Sequence, residues 1–269
     1  FTANDDFDGT GMITVGTGYT DVAGNSGTGA SDSVAISRVN PSVTVNLVKA
    51  LLTDADNNST VTFEFSEAVF GFDTEDILLS GGTLSGFTMI DTDSYSALFT
   101  STDGIAATGQ VEVRADYTDS DGNGGSAGSH SVEIDTTNPV VTVTIEKTLL
   151  TDTDAGSMVT FQFSKAVSAF DETDVAVSSG TLGNFAMVDV RTYSATFTAT
   201  DGIETTGSVS VGTGYTDTVG NTGIGGTANL AIDRLNPTVT VQFEDALLTD
   251  SINSSVVTFE FSEGVAGFE

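Results

Sequence analysis

Acidic residues recur in the turn segments of this sequence at a fixed spacing of 98 residues. Two sets show the spacing: Asp54, Asp152 and Asp250, and Asp21, Asp119 and Asp217. Ca²⁺ takes about six to eight oxygen ligands from carboxylates, amide side chains and backbone carbonyls, which Asp, Asn and Gly-rich turns supply. With no Cys and one His, the chain offers few ligands to Zn²⁺ or Cu²⁺. The residue types therefore indicate binding of a hard divalent cation.

The candidate ligands are acidic and amide residues of the turns and of the segments beside the prolines. They are Asp54, Asp56, Glu67, Asp73, Asp76, Asp103, Asp119, Asn123, Asp135, Asn138, Asp152, Asp154, Asp171, Asp174, Asp201, Asp217, Asn221, Asp233 and Asn236. The alternative is that these are ordinary solvated turns, in which Asp and Asn are common. No segment matches an EF-hand or a Gly-Gly-x-Gly-x-Asp calcium roll. Repetition where domains must join favours calcium.

The spacing of 98 residues also divides the chain into domains. Pro41, Pro139 and Pro237 are the only prolines, each follows Asn, and no insertion or deletion disturbs the step. A unit of this length builds its own core, so the repeats are tandem domains and not turns of a solenoid. The predicted units are a partial repeat 1–36, complete repeats 37–134 and 135–232, and a partial repeat 233–269. Because the chain starts at Phe1 and stops within a repeat, we expect it to be part of a longer protein.

Each complete repeat shows the period-two pattern of half-buried strands. Val61, Phe63 and Phe65 alternate with Thr62 and Glu64. In the first complete repeat we predict seven strands, at 41–47, 59–65, 76–80, 84–90, 94–101, 109–117 and 129–135. About 100 residues with seven short antiparallel strands predict an all-β fold of immunoglobulin-like sandwiches, arranged end to end. The acidic turns then lie at the two ends of each sandwich, where like charges repel unless a cation neutralises them.

Three aromatic residues and the single histidine are assigned from the same pattern. Phe70, Phe72 and Phe170 fall in a loop at the predicted domain junction, and we expect them to pack the contact between domains. His130 is the only histidine, and its equivalent in the next repeat is Ala228, so we expect a solvated strand residue. No Ser-His-Asp set recurs, and paired carboxylates for glycoside hydrolysis would need a cleft. The sequence therefore predicts a protein without enzymatic activity.

The charge and hydropathy exclude several partners. Seven basic residues against 38 acidic ones give a formal net charge of −31, whereas nucleic acids and anionic membranes bind clustered cations. No apolar run is long enough to cross a bilayer, and this segment shows no signal-peptide pattern. We therefore expect neither nucleic-acid binding nor membrane insertion of this segment.

Several strings resemble the bacterial Ig-like repeats of very large, calcium-dependent surface adhesins of the RTX and biofilm-associated type. They are Thr-Asn-Pro-Val-Val-Thr-Val at 137–143, Phe-Glu-Phe-Ser-Glu-Ala-Val at 63–69, Gly-Phe-Asp-Thr-Glu-Asp at 71–76, and Tyr-Thr-Asp-x-x-Gly-Asn at 19–25, 117–123 and 215–221. The resemblance covers the whole chain. It implies a stalk stiffened by Ca²⁺ at the domain junctions, with ligands at Asp135, Asp233 and the acidic loops.

The resemblance also implies where the protein works. We expect an extracellular stalk on the bacterial surface, or secreted, that supports adhesion or biofilm formation. Its partners are then neighbouring repeats of the same chain, and a surface ligand is bound through other domains. The alternative is a set of accessory or ligand-binding Ig-like modules in a secreted polysaccharide-active enzyme. Ser37 in place of Asp135, Lys165 in place of Glu67 and Ile252 in place of Asp56 predict that cation occupancy differs between junctions.

Overall fold

The computed structural model describes residues 1–269 and contains strands, turns and two short 3₁₀ segments. It divides into two compact units: unit 1 comprises residues 1–137 with 219–221, and unit 2 comprises residues 138–218 with 222–269. The all-β, tandem Ig-like fold predicted from the strand pattern is confirmed. None of the helical segments has the length and apolar character needed to cross a membrane.

The strands of unit 1 alternate with turns along the whole unit. They are β1 (Asp8–Val15), β2 (Ala30–Ser37), β3 (Val43–Leu47), β4 (Leu51–Leu52), β5 (Asn58–Phe65), β6 (Val69–Phe70), β7 (Ile77–Ser80), β8 (Gly82–Met89), β9 (Ser94–Ser101), β10 (Ala106–Val113), β11 (Thr118–Asp119) and β12 (Gly128–Asp135). One 3₁₀ turn, Thr74–Asp76, precedes β7.

Unit 2 repeats this order. Its strands are β13 (Val141–Ile145), β14 (Leu149–Thr151), β15 (Gly156–Phe163), β16 (Val167–Ser168), β17 (Val175–Ser178), β18 (Gly180–Asp189), β19 (Thr192–Ala199), β20 (Glu204–Val211), β21 (Thr216–Asp217), β22 (Gly226–Asp233), β23 (Val239–Phe243) and β24 (Val257–Phe261). A second 3₁₀ turn, Glu172–Asp174, precedes β17.

Two four-stranded sheets form the sandwich in each unit. In unit 1 their strand orders are β4-β12-β10-β7 and β3-β5-β9-β8, and in unit 2 they are β14-β22-β20-β17 and β13-β15-β19-β18. A short β6–β11 or β16–β21 pair joins the loops at one end, and the hairpins β1–β2 and β23–β24 belong to the partial repeats. Each complete repeat is therefore a closed two-layer unit.

The core lies between the two sheets, where the inward residues of both meet. Phe63 and Phe99 from one sheet and Val111 from the other are fully buried. Burying one such side chain stabilises the fold by about 1.5–3 kcal/mol. The prediction that Phe72 and Phe170 pack a contact between domains is wrong, because both are buried in the core of their own sandwich.

The aromatic cluster explains that placement. The Phe72 ring lies edge-on to the rings of Phe65 and Tyr95, with centroids 4.9 Å and 5.0 Å away. Such edge-to-face pairs add stability beyond the area they bury. Phe70, in contrast, is exposed on the short strand β6. The loop therefore closes the end of the sandwich with one aromatic ring and leaves the other in solvent.

The strand pattern differs from the sequence prediction at its ends. The predicted strand 109–117 corresponds to β10, which ends at Val113, and the short strands β4, β6 and β11 are additional. β4 pairs with β12 in parallel, so the pairing is not wholly antiparallel. Fully buried Leu52 explains β4, because burial of this side chain holds a short segment against the neighbouring sheet.

His130 is half-buried and hydrogen-bonded, so the prediction of a solvated strand residue is wrong. Its Nδ1 accepts a hydrogen bond of 2.7 Å from the backbone N–H of Leu47. The bond links β12 in one sheet to β3 at the edge of the other. The alternation pattern correctly gives the face of β12, but it cannot show that this inward position lies beside an unpaired backbone donor.

Candidate functional site

Two buried tyrosines hold the Asn-Pro segments against their own sandwiches. The hydroxyl of Tyr117 donates to the carbonyl of Ser126 at 2.7 Å and lies 3.3 Å from that of Pro41. In unit 2, the hydroxyl of Tyr215 lies 3.1 Å from the carbonyl of Pro139. Burial raises the pKa of Tyr215 to about 12. The hydroxyl therefore stays protonated and remains a donor across the physiological range.

A glycine two residues after the Tyr-Thr-Asp-x-x-Gly-Asn motif makes room for the tyrosine ring. A Cβ added to Gly125 would lie 2.3 Å from ring carbons of Tyr117, and one on Gly223 would lie 2.3 Å from the ring of Tyr215. Real Cβ atoms do not approach other heavy atoms so closely. Glycine at these two positions is therefore explained by the packing of the tyrosine ring on a bare backbone.

The aspartate of this motif organises its own loop. Asp119 Oδ1 accepts from the backbone N–H groups of Asp121 and Asn123 at 2.9 Å and 2.8 Å, and Oδ2 accepts from Asn123 Nδ2 at 2.7 Å. Asp21 and Asn25 make the same bonds in the partial repeat. Burial alone would raise the pKa of Asp119, but these hydrogen bonds outweigh it and lower the pKa. The predicted ligands Asp119 and Asn123 thus serve as a loop brace.

Four other predicted ligands cap the 3₁₀ turns. Asp73 accepts from the backbone N–H of Glu75 at 2.7 Å, and Asp76 accepts from the backbone N–H of Asp73 at 2.9 Å. Asp171 and Asp174 form the same reciprocal box in unit 2. Each carboxylate satisfies a backbone donor at the start of a helical turn. These aspartates have a structural task that does not require a cation.

Lysine side chains neutralise two further predicted ligands. Lys49 pairs with Asp56, and Lys147 pairs with Asp154 at the equivalent place in unit 2. Both aspartates are exposed, so these ion pairs stabilise the fold only slightly. Asp103 lies in an exposed Asp-Gly turn before β10.

An arginine occupies the end of unit 2 where three predicted ligands meet. Arg234 Nη2 lies 3.0 Å from Asp201 Oδ1, and its Nε lies 3.3 Å from Asp152 Oδ1. Its Nη1 donates to the carbonyl of Ala199 at 2.7 Å. Asp233 shares a shallow groove with Arg234, whereas Asn236 is simply exposed. The structure therefore brings the turn aspartates together, with a guanidinium between them.

Asn221 is a fully buried carboxamide within unit 1. Its Oδ1 accepts from the backbone N–H of Asp54 at 2.9 Å, and its Nδ2 donates to the carbonyl of Asp135 at 2.9 Å. Asp135 Oδ1 also accepts from the hydroxyl of Thr137 at 2.7 Å. Three residues predicted as cation ligands are thus connected by neutral hydrogen bonds.

Glu67 lies among other acids near the Asp119 loop of unit 1. Burial, followed by the charges of Asp119, Asp8 and Asp121, raises the pKa of Glu67. The equivalent residue in unit 2 is Lys165, whose Nζ lies 2.6 Å from Oδ2 of buried Asp217. The same position therefore carries a repelling carboxylate in one repeat and a compensating ammonium in the next.

Comparison with known protein families identifies the repeats. The model of the family described as "Bacterial Ig-like domain" matches residues 37–134 and 135–234. The chain belongs to this family. The two matches follow one another directly, so the bacterial Ig-like repeats are tandem copies.

Solved structures show weaker similarity to the bacterial Ig-like repeats. Invasin, described as a bacterial integrin-binding protein, is 17% identical over 95% of this chain and 53% of its own, with a TM-score of 0.39. InvD of Yersinia pseudotuberculosis is 15% identical over 80% and 66%, with a TM-score of 0.30. InvE of the same organism is 13% identical over 72% and 59%, with a TM-score of 0.28. The chain thus spans about half to two thirds of these proteins. A search of curated proteins finds no match.

The predicted ligands differ in how well they fit calcium. The amide oxygen Oδ1 of Asn138 is buried and has no hydrogen-bond donor, and a cation would satisfy this atom. Asn138 and the acidic Glu67 therefore fit, whereas Asp119 already accepts hydrogen bonds from its own loop and Asp152 and Asp201 lie beside the guanidinium of Arg234. Within either unit, no three His, Cys, Asp or Glu side chains form a group able to hold a metal ion. The remaining predicted ligands stay a prediction.

Sequence reasoning missed the basic partners of the acidic loops. Lys49 and Lys147 stand 98 residues apart, and Arg38 and Arg234 stand at equivalent positions, so the repeat spacing was a usable signal for both pairs. The tyrosine anchors carry the same signal at Tyr117. What the spacing cannot show is which acid each cation meets, because those partners come from different turns.

Proposed function

We propose that this chain is an extender segment of a bacterial surface adhesin, a stalk of tandem Ig-like repeats outside the cell. The observation that carries the proposal is the direct succession of two complete family matches at residues 134 and 135. Each repeat has its own core between two four-stranded sheets. Modules that fold independently and follow one another without spacer residues are suited to building length.

The roles of the histidine and of the recurrent aspartates within each repeat support a mechanical function. The single histidine accepts a backbone hydrogen bond from Leu47. The recurrent aspartates brace loops, cap 3₁₀ turns or pair with basic side chains. A catalytic carboxylate pair would instead need a cleft and one acid poised for proton transfer. The proposal is therefore a structural role, with surface ligands bound by other domains of the parent protein.

We further propose that Ca²⁺ stiffens the stalk at the ends of the repeats, as in adhesins of the biofilm-associated type. The net charge of −31 supports this, because uncompensated acids repel one another. When bound, the cation supplies positive charge that reduces the repulsion between the acids. Its ligands are oxygen atoms at the ends of the repeats. Asn138 offers a buried amide oxygen without a donor, and Glu67 offers a carboxylate whose ionisation is resisted by its neighbours.

Small-angle X-ray scattering of the whole chain tests this function. With millimolar Ca²⁺ we expect a larger and better-defined maximum dimension than with chelator, and greater resistance to protease, because bound ion stabilises the folded state. Mg²⁺ at equal ionic strength is the control for screening. Equal dimensions and equal protease resistance under all three conditions would sink the calcium proposal and leave the Ig-like fold intact.

A matched pair of variants locates the effect. Glu67→Gln removes a loop carboxylate that lies among other acids, and Glu64→Gln removes an exposed one on β5. If Glu67 contributes to calcium binding, only its variant should need a higher Ca²⁺ concentration to reach the same dimension. An equal shift in both variants would point to general charge screening.

A further inference from the structure

Arg38, Lys165 and Arg234 occupy two positions near the start of each repeat, and every repeat start has a basic residue at one of them. The residue that follows the repeat boundary strand is Arg38, Thr136 or Arg234, and the residue 29 positions later is Glu67, Lys165 or Glu263. Each pair thus holds one basic residue, on the linker in two cases and on the loop in the third. The chain has only seven basic residues beside 38 acidic ones, so a basic residue at each repeat start is a notable share of the total.

Arg234 shows what the linker position does in unit 2. Its side chain is only 14% exposed, and it contacts Asp201 at 3.0 Å and Asp152 at 3.3 Å. The two aspartates come from turns about 50 residues apart in sequence, so one guanidinium compensates two carboxylates that the fold brings together. The guanidinium is mostly buried, whereas the carboxylates of Asp152 and Asp201 are 40% and 78% exposed, so solvent screens part of each interaction.

Arg38 makes the same contacts at the equivalent position in unit 1. Its Nη2 lies 3.0 Å from Asp5 Oδ1, and its Nη1 donates to the carbonyl of Ala3 at 3.0 Å. Asp5 and Ala3 are the counterparts of Asp201 and Ala199, which Arg234 contacts. The geometry therefore belongs to the position and recurs wherever arginine stands there.

Lys165 gives unit 2 a second cation at the loop position. Its ammonium lies 2.6 Å from Asp217, whose side chain is 1% exposed. A carboxylate buried to this degree is costly unless it is paired and hydrogen-bonded. Lys165 therefore meets the charge requirement of Asp217 from within the chain.

We propose that Arg234 and Lys165 are built-in cations that compensate the acidic turns of unit 2, so that Asp152, Asp201 and Asp217 need no divalent ion. The inference rests on the proposed function, since it assigns to side chains a task that the proposed function gives to calcium. It predicts that unit 2 keeps its stability in chelator and gains a calcium requirement when either residue is replaced.

Hydrogen exchange of the whole chain, followed by mass spectrometry, tests this unit by unit. The variants are Arg234→Thr and Lys165→Glu, which install the residues found at the equivalent positions Thr136 and Glu67. In the wild-type chain we expect peptides of 149–154, 199–205 and 215–218 to exchange equally in chelator and in Ca²⁺. In each variant we expect about tenfold faster exchange of its own peptides in chelator, with recovery in Ca²⁺.

Three results would overturn the inference. Wild-type peptides of unit 2 that lose protection in chelator would show that the side chains are not sufficient. Variants that exchange as slowly as wild type in chelator would show that the ion pairs contribute nothing. Loss of protection that Ca²⁺ does not restore would show that the side chains and a divalent ion are not interchangeable.

Charge-retaining variants are the controls for misfolding. Arg234→Lys and Lys165→Arg retain the charge, and we expect them to exchange within about threefold of wild type in chelator. A conservative variant as unprotected as its charge-removing partner would also overturn the inference. The proposed function fails on different grounds, namely an absence of any calcium response of the wild-type chain in its dimension and protease resistance.

Discussion

At the scale of single residues, the hydroxyl of Tyr215 links the start of unit 2, at Pro139, to the loop at Ile224. Removing it in Tyr215→Phe leaves the carbonyls of Pro139 and Ile224 without this donor in a buried place. We expect unfolding free energy to fall by about 1 kcal/mol, measured by urea denaturation. Tyr19→Phe is the control, because the Tyr19 ring is half exposed and water can replace its bond to Thr28. Equal losses in both variants would contradict a special role for the buried hydroxyl.

The raised pKa of Glu67 predicts a pH-dependent effect of a single charge. Because the folded state holds the Glu67 proton more tightly than the unfolded chain does, stability falls as pH rises from the ordinary glutamate pKa to the raised one. Glu67→Gln should therefore raise the melting temperature at neutral pH in chelator, by about 1–2 °C. The gain should vanish at about pH 3, well below the ordinary glutamate pKa, where both states are protonated. A gain that persists there, or one that Glu64→Gln shares, would argue against burial and the neighbouring acids as the cause.

At the scale of secondary-structure elements, sequence reasoning succeeds where one face of a strand is buried. Alternation at Val61, Phe63 and Phe65 places β5 correctly, because the period of two reflects which side chains reach the core. It fails for β4 and β6, which are two residues long and have no period to detect. The ends of elements depend on hydrogen-bond partners from elsewhere in the chain, which spacing alone does not identify.

The same limit applies to the candidate ligands. In the sequence, Asp73 is an acid in a turn beside other acids. A calcium ligand and a helix cap both have this sequence pattern. The structure shows a capping box, in which the carboxylate of Asp73 accepts a backbone hydrogen bond from Glu75. Whether such an aspartate caps a helix or binds a cation depends on which backbone N–H groups lie near its carboxylate. Composition and repeat spacing identify the acidic turns but not those donors.

His130 connects β12 to β3, and its removal should affect the backbone amide of Leu47. In His130→Ala, which installs the residue found at the equivalent position Ala228, the backbone N–H of Leu47 loses its acceptor. We expect a loss of about 1 kcal/mol of unfolding free energy. Exchange of the Leu47 amide, followed by NMR, should accelerate by about tenfold. Ser131→Ala, on the exposed face of the same strand, is the control. Unchanged Leu47 exchange in His130→Ala would show that the bond contributes nothing.

At the scale of the whole molecule, charge compensation is incomplete. Basic side chains meet Asp5, Asp56, Asp152, Asp154, Asp201 and Asp217, and seven basic residues are too few to compensate 38 acids. Added salt weakens those few pairs and also screens the repulsion among all the acids. With 7 basic residues against 38 acidic ones, repulsion is the larger of the two effects at neutral pH.

The salt dependence of stability should therefore change with pH. At neutral pH in chelator, raising NaCl from about 10 mM to about 150 mM shortens the screening length from about 30 Å to about 8 Å, so the melting temperature should rise. Near the isoelectric point of about 4.1 the net charge is close to zero, and the same salt should leave the melting temperature unchanged or lower it, because only the ion pairs remain to be screened. Differential scanning calorimetry at both pH values measures this directly. A fall with salt at neutral pH would mean that the ion pairs outweigh the repulsion, and the case for an additional cation in the stalk would lose its main physical ground.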